Sequence, residues 1–203
     1  MQDVARDIVV IGASAGGVEA MARVVEGLPP NLPAVVCVAI HLNPVHRSRL
    51  PAVLSRAGGP PALHPVDGQP VERGRIYVAP PDHHMMMDDG QLRLWKGPKE
   101  NLHRPAVNAL FRSAAVLYRT RVIGIVLSGS MDDGATGLWW IKRYGGLALV
   151  QDPDDAKFPA MPLSAMSTVD VDYRVTVADL PALLVRLVSG RTDEVSAPLQ
   201  LER

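Results

Sequence analysis

Residues 12–17 read Gly-Ala-Ser-Ala-Gly-Gly and directly follow the apolar run Ile8-Val9-Val10-Ile11. A glycine-rich turn that leaves a strand and opens a helix serves one of two chemistries. Its backbone cradles a phosphate, or it lifts a serine into a cleft as a nucleophile. A dinucleotide turn needs glycine where this chain has Ser14, and an acidic residue at the end of the second strand, where it has His41. A Walker-type loop needs a lysine that the turn lacks. Gly12-Ala13-Ser14-Ala15-Gly16 does match G-x-S-x-G, in which small neighbours permit a sharp turn and expose the hydroxyl. A serine hydroxyl is a poor nucleophile until a base takes its proton, and the base needs an oriented partner. His41 and an aspartate of the segment Ser130-Met131-Asp132-Asp133-Gly134-Ala135 are the residues of the right type. Free N–H groups at the start of the helix after Ser14 offer a place for a developing oxyanion.

These residues need a scaffold that brings distant segments together, and the hydrophobic pattern supplies one. Residues 7–12, 33–41, 121–128 and 147–151 are short, nearly continuous apolar runs, as expected of strands buried on both faces. Helical spacing follows the first run at Val18, Met21, Val25 and Leu28, and recurs over 107–118, after 129–137 and over 179–188, the last behind Asp179 as an N-cap. A short helix is expected over 46–59. Residues 75–95 alternate and carry Asp89-Gly90, a hairpin signal. The pattern predicts an α/β fold: a doubly wound, mostly parallel sheet with helices on both faces and a β-hairpin insertion. Ligands bind beyond the carboxyl ends of the strands in such sheets. Ser14, His41 and Asp133 each fall at or just past such an end, so they can meet along one edge.

Composition bounds the functional classes. The 203 residues hold 21 basic and 21 acidic side chains, a balance that argues against a general nucleic-acid binder. Cys37, the single cysteine, excludes an intrachain disulfide and reads as a buried structural thiol. No apolar run approaches the roughly 20 residues of a membrane helix, and residues 1–7 have no apolar signal core, so the sequence reads as soluble and cytoplasmic, with no membrane insertion. The tail, 190–203, is polar and reads as loose.

With those segments assembled, the chain resembles the CheB-type protein-glutamate methylesterase domain of bacterial chemotaxis systems. The resemblance rests on VVIGASAGG, a strand ending in His41, GRIYVAPPDHHM, HRPAVNALF, SGSMDDGATG and AMP at 160–162, in that order and spacing. It implies a catalytic domain over 1–189 that hydrolyses glutamyl methyl esters on the cytoplasmic helices of chemoreceptors, with deamidation of receptor glutamines in many members. By motif, Ser14 is then the nucleophile, His41 the general base and Asp133 the orienting carboxylate; no metal or organic cofactor is implied. The chain departs from the family pattern at Ser130, where a methionine is usual, at Met131, where glycine is usual, and at Ala15, where threonine is common. Ala15, Ser130 and Met131 are therefore the candidates for the oxyanion site and acyl pocket, and Arg104 for substrate contact. Family members in chemotaxis usually carry an N-terminal receiver domain, and only six residues precede the first strand here, so phosphorylation control is expected to be absent or to reside in a separate regulator. The alternatives are a non-catalytic receptor-docking module of the same fold and a serine esterase with an unrelated substrate.

The blander readings lie beside these. Asp132 reads as a solvated turn residue and His46 as a surface residue. Asp82, His83, His84, Asp88 and Asp89 superficially suggest a metal site, but adjacent histidines on an extended segment point to opposite faces, and a polar hairpin accounts for them better. Met85-Met86-Met87 reads as packing.

Overall fold

The computed structural model describes residues 6–41 and 48–190; His46 and the tail lie outside them. The apolar runs form parallel strands: β1 (Ile8–Ala13), β2 (Val35–Ile40), β3 (Ala62–Leu63), β5 (Arg75–Val78), β8 (Val122–Val126), β9 (Leu147–Gln151) and β10 (Tyr173–Val175). They stand in the order β10-β9-β8-β1-β2-β5-β3, and every pairing is parallel. The remaining strands, β4 (Gln69–Pro70), β6 (His84–Asp88) and β7 (Gln91–Trp95), make a small antiparallel sheet.

Both faces of the large sheet are covered, which is why its central strands β1, β2 and β8 are buried and carry no polar side chain. Along β1, Val9 and Ile11 face one core with α1 (Gly17–Glu26), α2 (Leu50–Arg56) and α6 (Leu180–Ser189). Ile8 and Val10 face the other, with α3 (Val107–Tyr118), α4 (Ala135–Arg143), α5 (Ala160–Thr168) and the small sheet. Burying each such Val or Ile contributes about 2 kcal/mol. Cys37 is fully buried in β2, where burial pushes its thiol up to about 12 and leaves it protonated and unreactive.

The structure departs from the sequence reading at three elements. The alternation over 75–95 is two structures: β5 joins the parallel sheet, and only β6 and β7 form the hairpin, turned at Asp89-Gly90 with φ of 40° and 80°. Met85 and Met87 pack into the core beneath that hairpin while Met86 is half-buried. The helix expected over 46–59 is described only as α2, which starts at Leu50 with Pro51 in its first turn. Asp179 precedes α6 but does not cap it; its carboxylate instead accepts the Thr176 hydroxyl at 2.7 Å. Two elements had no counterpart in the reading, α5 and β10.

The chain leaves β1 toward β2 on one side and returns from β8 toward β9 on the other, so the sheet changes direction between β1 and β8. The crevice of such a sheet opens there, at the carboxyl ends. At the opposite end of β1, buried Asp7 ties the sheet together through Arg73 and Arg121. Burial pushes the Asp7 carboxyl up, but the hydrogen bonds and charges of Arg121 and Arg73 outweigh it and hold the group below the usual carboxylate range.

Candidate active site

Ser14 is the first residue past β1, and its backbone is fixed on both sides: its N–H donates to the Ser128 carbonyl (3.0 Å) and its carbonyl accepts the Gly17 N–H (2.9 Å). The left-handed conformation in this turn falls on Gly16 (φ 74°), not on the serine, so the hydroxyl is presented without strain at Ser14 itself. Close approach is arranged from the other side by Gly129, where a Cβ would lie 2.0 Å from the Met161 sulfur and 2.9 Å from the Ser14 Cβ.

His41 follows β2 and lies between the two remaining candidates. The Ser14 hydroxyl donates to Nδ1 of His41 (3.1 Å), and Nε2–H of His41 donates to Oδ2 of Asp133 (2.7 Å). Asp133 settles the tautomer, because a carboxylate only accepts: the proton sits on Nε2 and Nδ1 is left to receive one. The His41 and Asp133 side chains are 6% and 0% exposed, so water does little to weaken the pair.

Asp133 is held by the amino end of α3. Its carboxylate accepts the N–H groups of Val107 (2.7 Å) and Asn108 (3.0 Å), two donors that have no partner within the helix. Asn108 in turn accepts the N–H groups of Gly134 (3.1 Å) and Gly137 (2.7 Å), fixing the start of α4 beside the residue that it orients. Asp132 is exposed, and Asp133 is the aspartate that reaches the histidine.

Among the described residues the backbone N–H groups of Ala15 and Gly16 have no acceptor. The Ala15 carbonyl is taken by the Ser128 hydroxyl (2.9 Å), which also accepts the Phe158 N–H (3.0 Å). In a trans peptide the carbonyl and the next N–H point in opposite directions, so Ser128 also sets the direction of the Gly16 N–H. Residues 158–161 brace this turn further: Gly129 N–H donates to the Phe158 carbonyl and Met161 N–H to the Gly129 carbonyl.

Ser130 and Met131 lie exposed on the loop that leads to Asp133. Met131 has φ 72°, the left-handed region in which a side chain costs about 1–2 kcal/mol. Met131→Gly is expected to stabilise the fold by about 0.5–1 kcal/mol, after subtracting the greater chain freedom of glycine in the unfolded state. An unchanged or lower urea midpoint would contradict this.

Arg104 is committed to the protein. Its guanidinium binds Asp82, which also pairs with Lys96 (2.7 Å), and it donates to the Gly97 carbonyl. Lys96 first, then Arg104, holds the Asp82 carboxyl down at about 2. The folded carboxyl is thus a stronger acid than the unfolded one, whose value is about 4. Its contribution to stability is complete above pH ~4 and is lost as the pH falls toward ~2. Melting of wild type and Asp82→Asn should therefore show the variant's deficit shrinking across that window; a constant deficit would contradict it. His84 is buried in the same region, donating from Nε2 to the Pro98 carbonyl (2.9 Å) and accepting the Ala106 N–H at Nδ1 (3.3 Å), so both ring nitrogens are used structurally.

The sequence reading did not single out Asn108, Ser128, Asn101 or His103. The Asn101 amide donates to Asp133 (3.5 Å), and the His103 ring stacks on His41 with centroids 3.5 Å apart. Asn108 and His103 both sit in HRPAVNALF, a segment that the sequence marks without showing the contacts that give it meaning.

Known proteins are similar to this chain along most of its length. A protein-glutamate methylesterase/protein-glutamine glutaminase of Anaeromyxobacter dehalogenans is 36% identical over 181 residues, covering 89% of this chain and 53% of that protein. A Leptospira interrogans protein whose name provisionally gives it the same two activities is 32% identical, covering 93% of this chain and 98% of that one. The crystal structure of the Thermotoga maritima CheB methylesterase catalytic domain superposes with a TM-score of 0.86 at 32% identity, over 91% of this chain and all of that one. The family model for CheB methylesterase matches residues 9–184, from β1 into α6, and this chain belongs to that family.

Proposed function

We propose that the chain is a serine hydrolase that demethylates glutamyl methyl esters on the cytoplasmic helices of chemoreceptors. The observation that carries this reading is the unbroken relay from Ser14 Oγ through both ring nitrogens of His41 to Asp133. Ser14 Oγ attacks the ester carbonyl carbon while Nδ1 of His41 takes the hydroxyl proton. Asp133 stabilises the imidazolium, and the N–H groups of Ala15 and Gly16 receive the charge on the carbonyl oxygen. When the C–OCH₃ bond breaks, His41 returns the proton to the leaving oxygen and methanol departs. Water then attacks the glutamyl–Ser14 ester with His41 again as base, giving free glutamate and restoring the serine. A glutamine side chain follows the same course with ammonia as the leaving group, so one site serves both reactions named for the relatives. No step calls on a metal or organic cofactor.

No helix among the described residues is long and apolar enough to cross a membrane, and the proposed substrate places the chain's work on the cytoplasmic side, with a separate receiver-domain protein as a candidate regulator. The test is mass spectrometry of methylated receptor cytoplasmic fragments after incubation with the protein, beside a panel of small acyl esters. Conversion of glutamyl methyl esters to glutamate, faster than turnover of the small esters, is expected. Faster turnover of the small esters would make it an esterase of another substrate, and turnover of neither, with receptor binding retained, a docking module.

A further inference from the structure

The turn Glu100–His103 is built at a backbone cost. Glu100 and His103 exchange both backbone hydrogen bonds (3.2 and 2.8 Å), closing a two-residue turn in which Asn101 (φ 47°) and Leu102 (φ 67°) are both left-handed. Asparagine tolerates that region, but leucine is strained there, and Leu102 is 72% exposed and gains no burial in return. Such strain persists where the surroundings over-determine it, as at functional sites. Both ends are anchored: Glu100 by Arg112 of α3 (2.9 and 3.2 Å), and Arg104, next to His103, by Asp82. What the anchored turn delivers is two side chains. Asn101 reaches Asp133, and His103 lies flat on His41 with 12° between the rings.

We propose that His103 is a positioning residue for the His41–Asp133 pair: its ring face holds the plane of His41 so that Nδ1 and Nε2 stay aimed at Ser14 and Asp133, and it stays neutral while His41 cycles through the imidazolium. This rests on the reading of His41 as the base. The stacked geometry lets a neutral imidazole present its π face to the cation that forms on His41. A second cation in that position would oppose it. The charged and titratable groups facing His103 are His41, Asp133 and Lys99, with Glu100 turned to Arg112. Burial lowers the His103 basicity, the His41 charge lowers it further, Asp133 works in the other direction, and the balance lies below the ordinary histidine range. Burial and the charge that forms on His41 thus both favour the neutral form of His103.

Three substitutions separate the face from the charge. His103→Phe keeps a flat face and should retain kcat within about threefold of wild type. His103→Ala removes the face and should lower kcat about tenfold while KM moves less than about twofold, as expected when a reacting group loses its orientation. His103→Arg puts a permanent cation over His41 and should lower kcat by about a hundredfold or more. A merely structural role would instead track melting temperature across the three variants, and equal kcat in all of them would overturn the proposal. A second readout does not depend on turnover. In Ser14→Ala protein the His103 ring should titrate below the ordinary range by NMR, and replacing His41 with Gln should raise its midpoint; an unmoved midpoint also overturns it. If instead wild type and Ser14→Ala hydrolyse receptor esters equally, the catalytic reading fails, and the NMR arm still decides whether the two rings are coupled.

Discussion

Ser14→Ala is expected to lower ester hydrolysis by about 10⁴-fold or more while leaving the fold intact. Among the described residues the Ser14 side chain makes one hydrogen bond, to His41, and its structural contacts are made by its backbone, which alanine keeps. Alanines already flank it on both sides. The stability change should therefore stay within about 0.5 kcal/mol, the range of substitutions that leave no cavity and no orphaned buried group. The free Nδ1 of His41 then has no proton to take, and hydrolysis is left to the oxyanion donors and water. Urea unfolding and hydrolysis measured on the same preparation separate the two effects. A variant that unfolds easily would show that the hydroxyl is structural.

Asp133→Asn is expected to cost activity and stability together, about 10³–10⁴-fold in kcat and about 1–3 kcal/mol. Among the described residues the carboxylate accepts from four donors: His41 and Val107 at Oδ2, Asn108 and Asn101 at Oδ1. Asparagine must place its NH₂ against one of those pairs. On the Oδ2 side it confronts the Val107 N–H and drives the His41 proton to Nδ1, so that Ser14 faces a donor and cannot pass on its proton. On the Oδ1 side it leaves the buried Asn108 N–H without an acceptor and loosens the amino end of α3. Loss of activity with no loss of stability would mean that Asp133 acts on the histidine alone. Loss of stability alone would remove it from the chemistry.

The three residues were legible because each ends or follows a strand that the sequence marks plainly. Short apolar runs bounded by turn residues fit strands covered on both faces, and the carboxyl-edge rule then brings Ser14, His41 and the segment Asp132-Asp133 together without any knowledge of distance; the choice of Asp133 came from the family resemblance. What the sequence hid has physical causes. In α5, proline at 162 and the Ser164-Ala165-Met166-Ser167 stretch break any apolar stripe, so the helix carries no periodicity even though Met161 and Ala165 are buried. Strand β10 has three residues, too few for a pattern. Pro80-Pro81 falls within the alternation of 75–95 and separates a buried parallel strand from a hairpin, which alternation alone does not distinguish. His103 was invisible for another reason: Asn101-Leu102 is a left-handed turn without the glycine that would announce it, and its purpose lies in a contact 62 positions away in sequence, between residues 41 and 103. Asn108 reads as an ordinary helix residue until the loop before α4 is laid over it.

The proposed function turns on acylation of Ser14 by a glutamyl side chain of the receptor. The direct measurement is rapid acid quenching of wild-type protein mixed with a methylated chemoreceptor cytoplasmic fragment, followed by digestion and mass spectrometry of the peptide containing Ser14. Methanol release accompanied by a receptor glutamyl group ester-linked at Ser14 is expected, and neither in Ser14→Ala. Methanol release with the Ser14 peptide unmodified at every time point, and undiminished in Ser14→Ala, would contradict it.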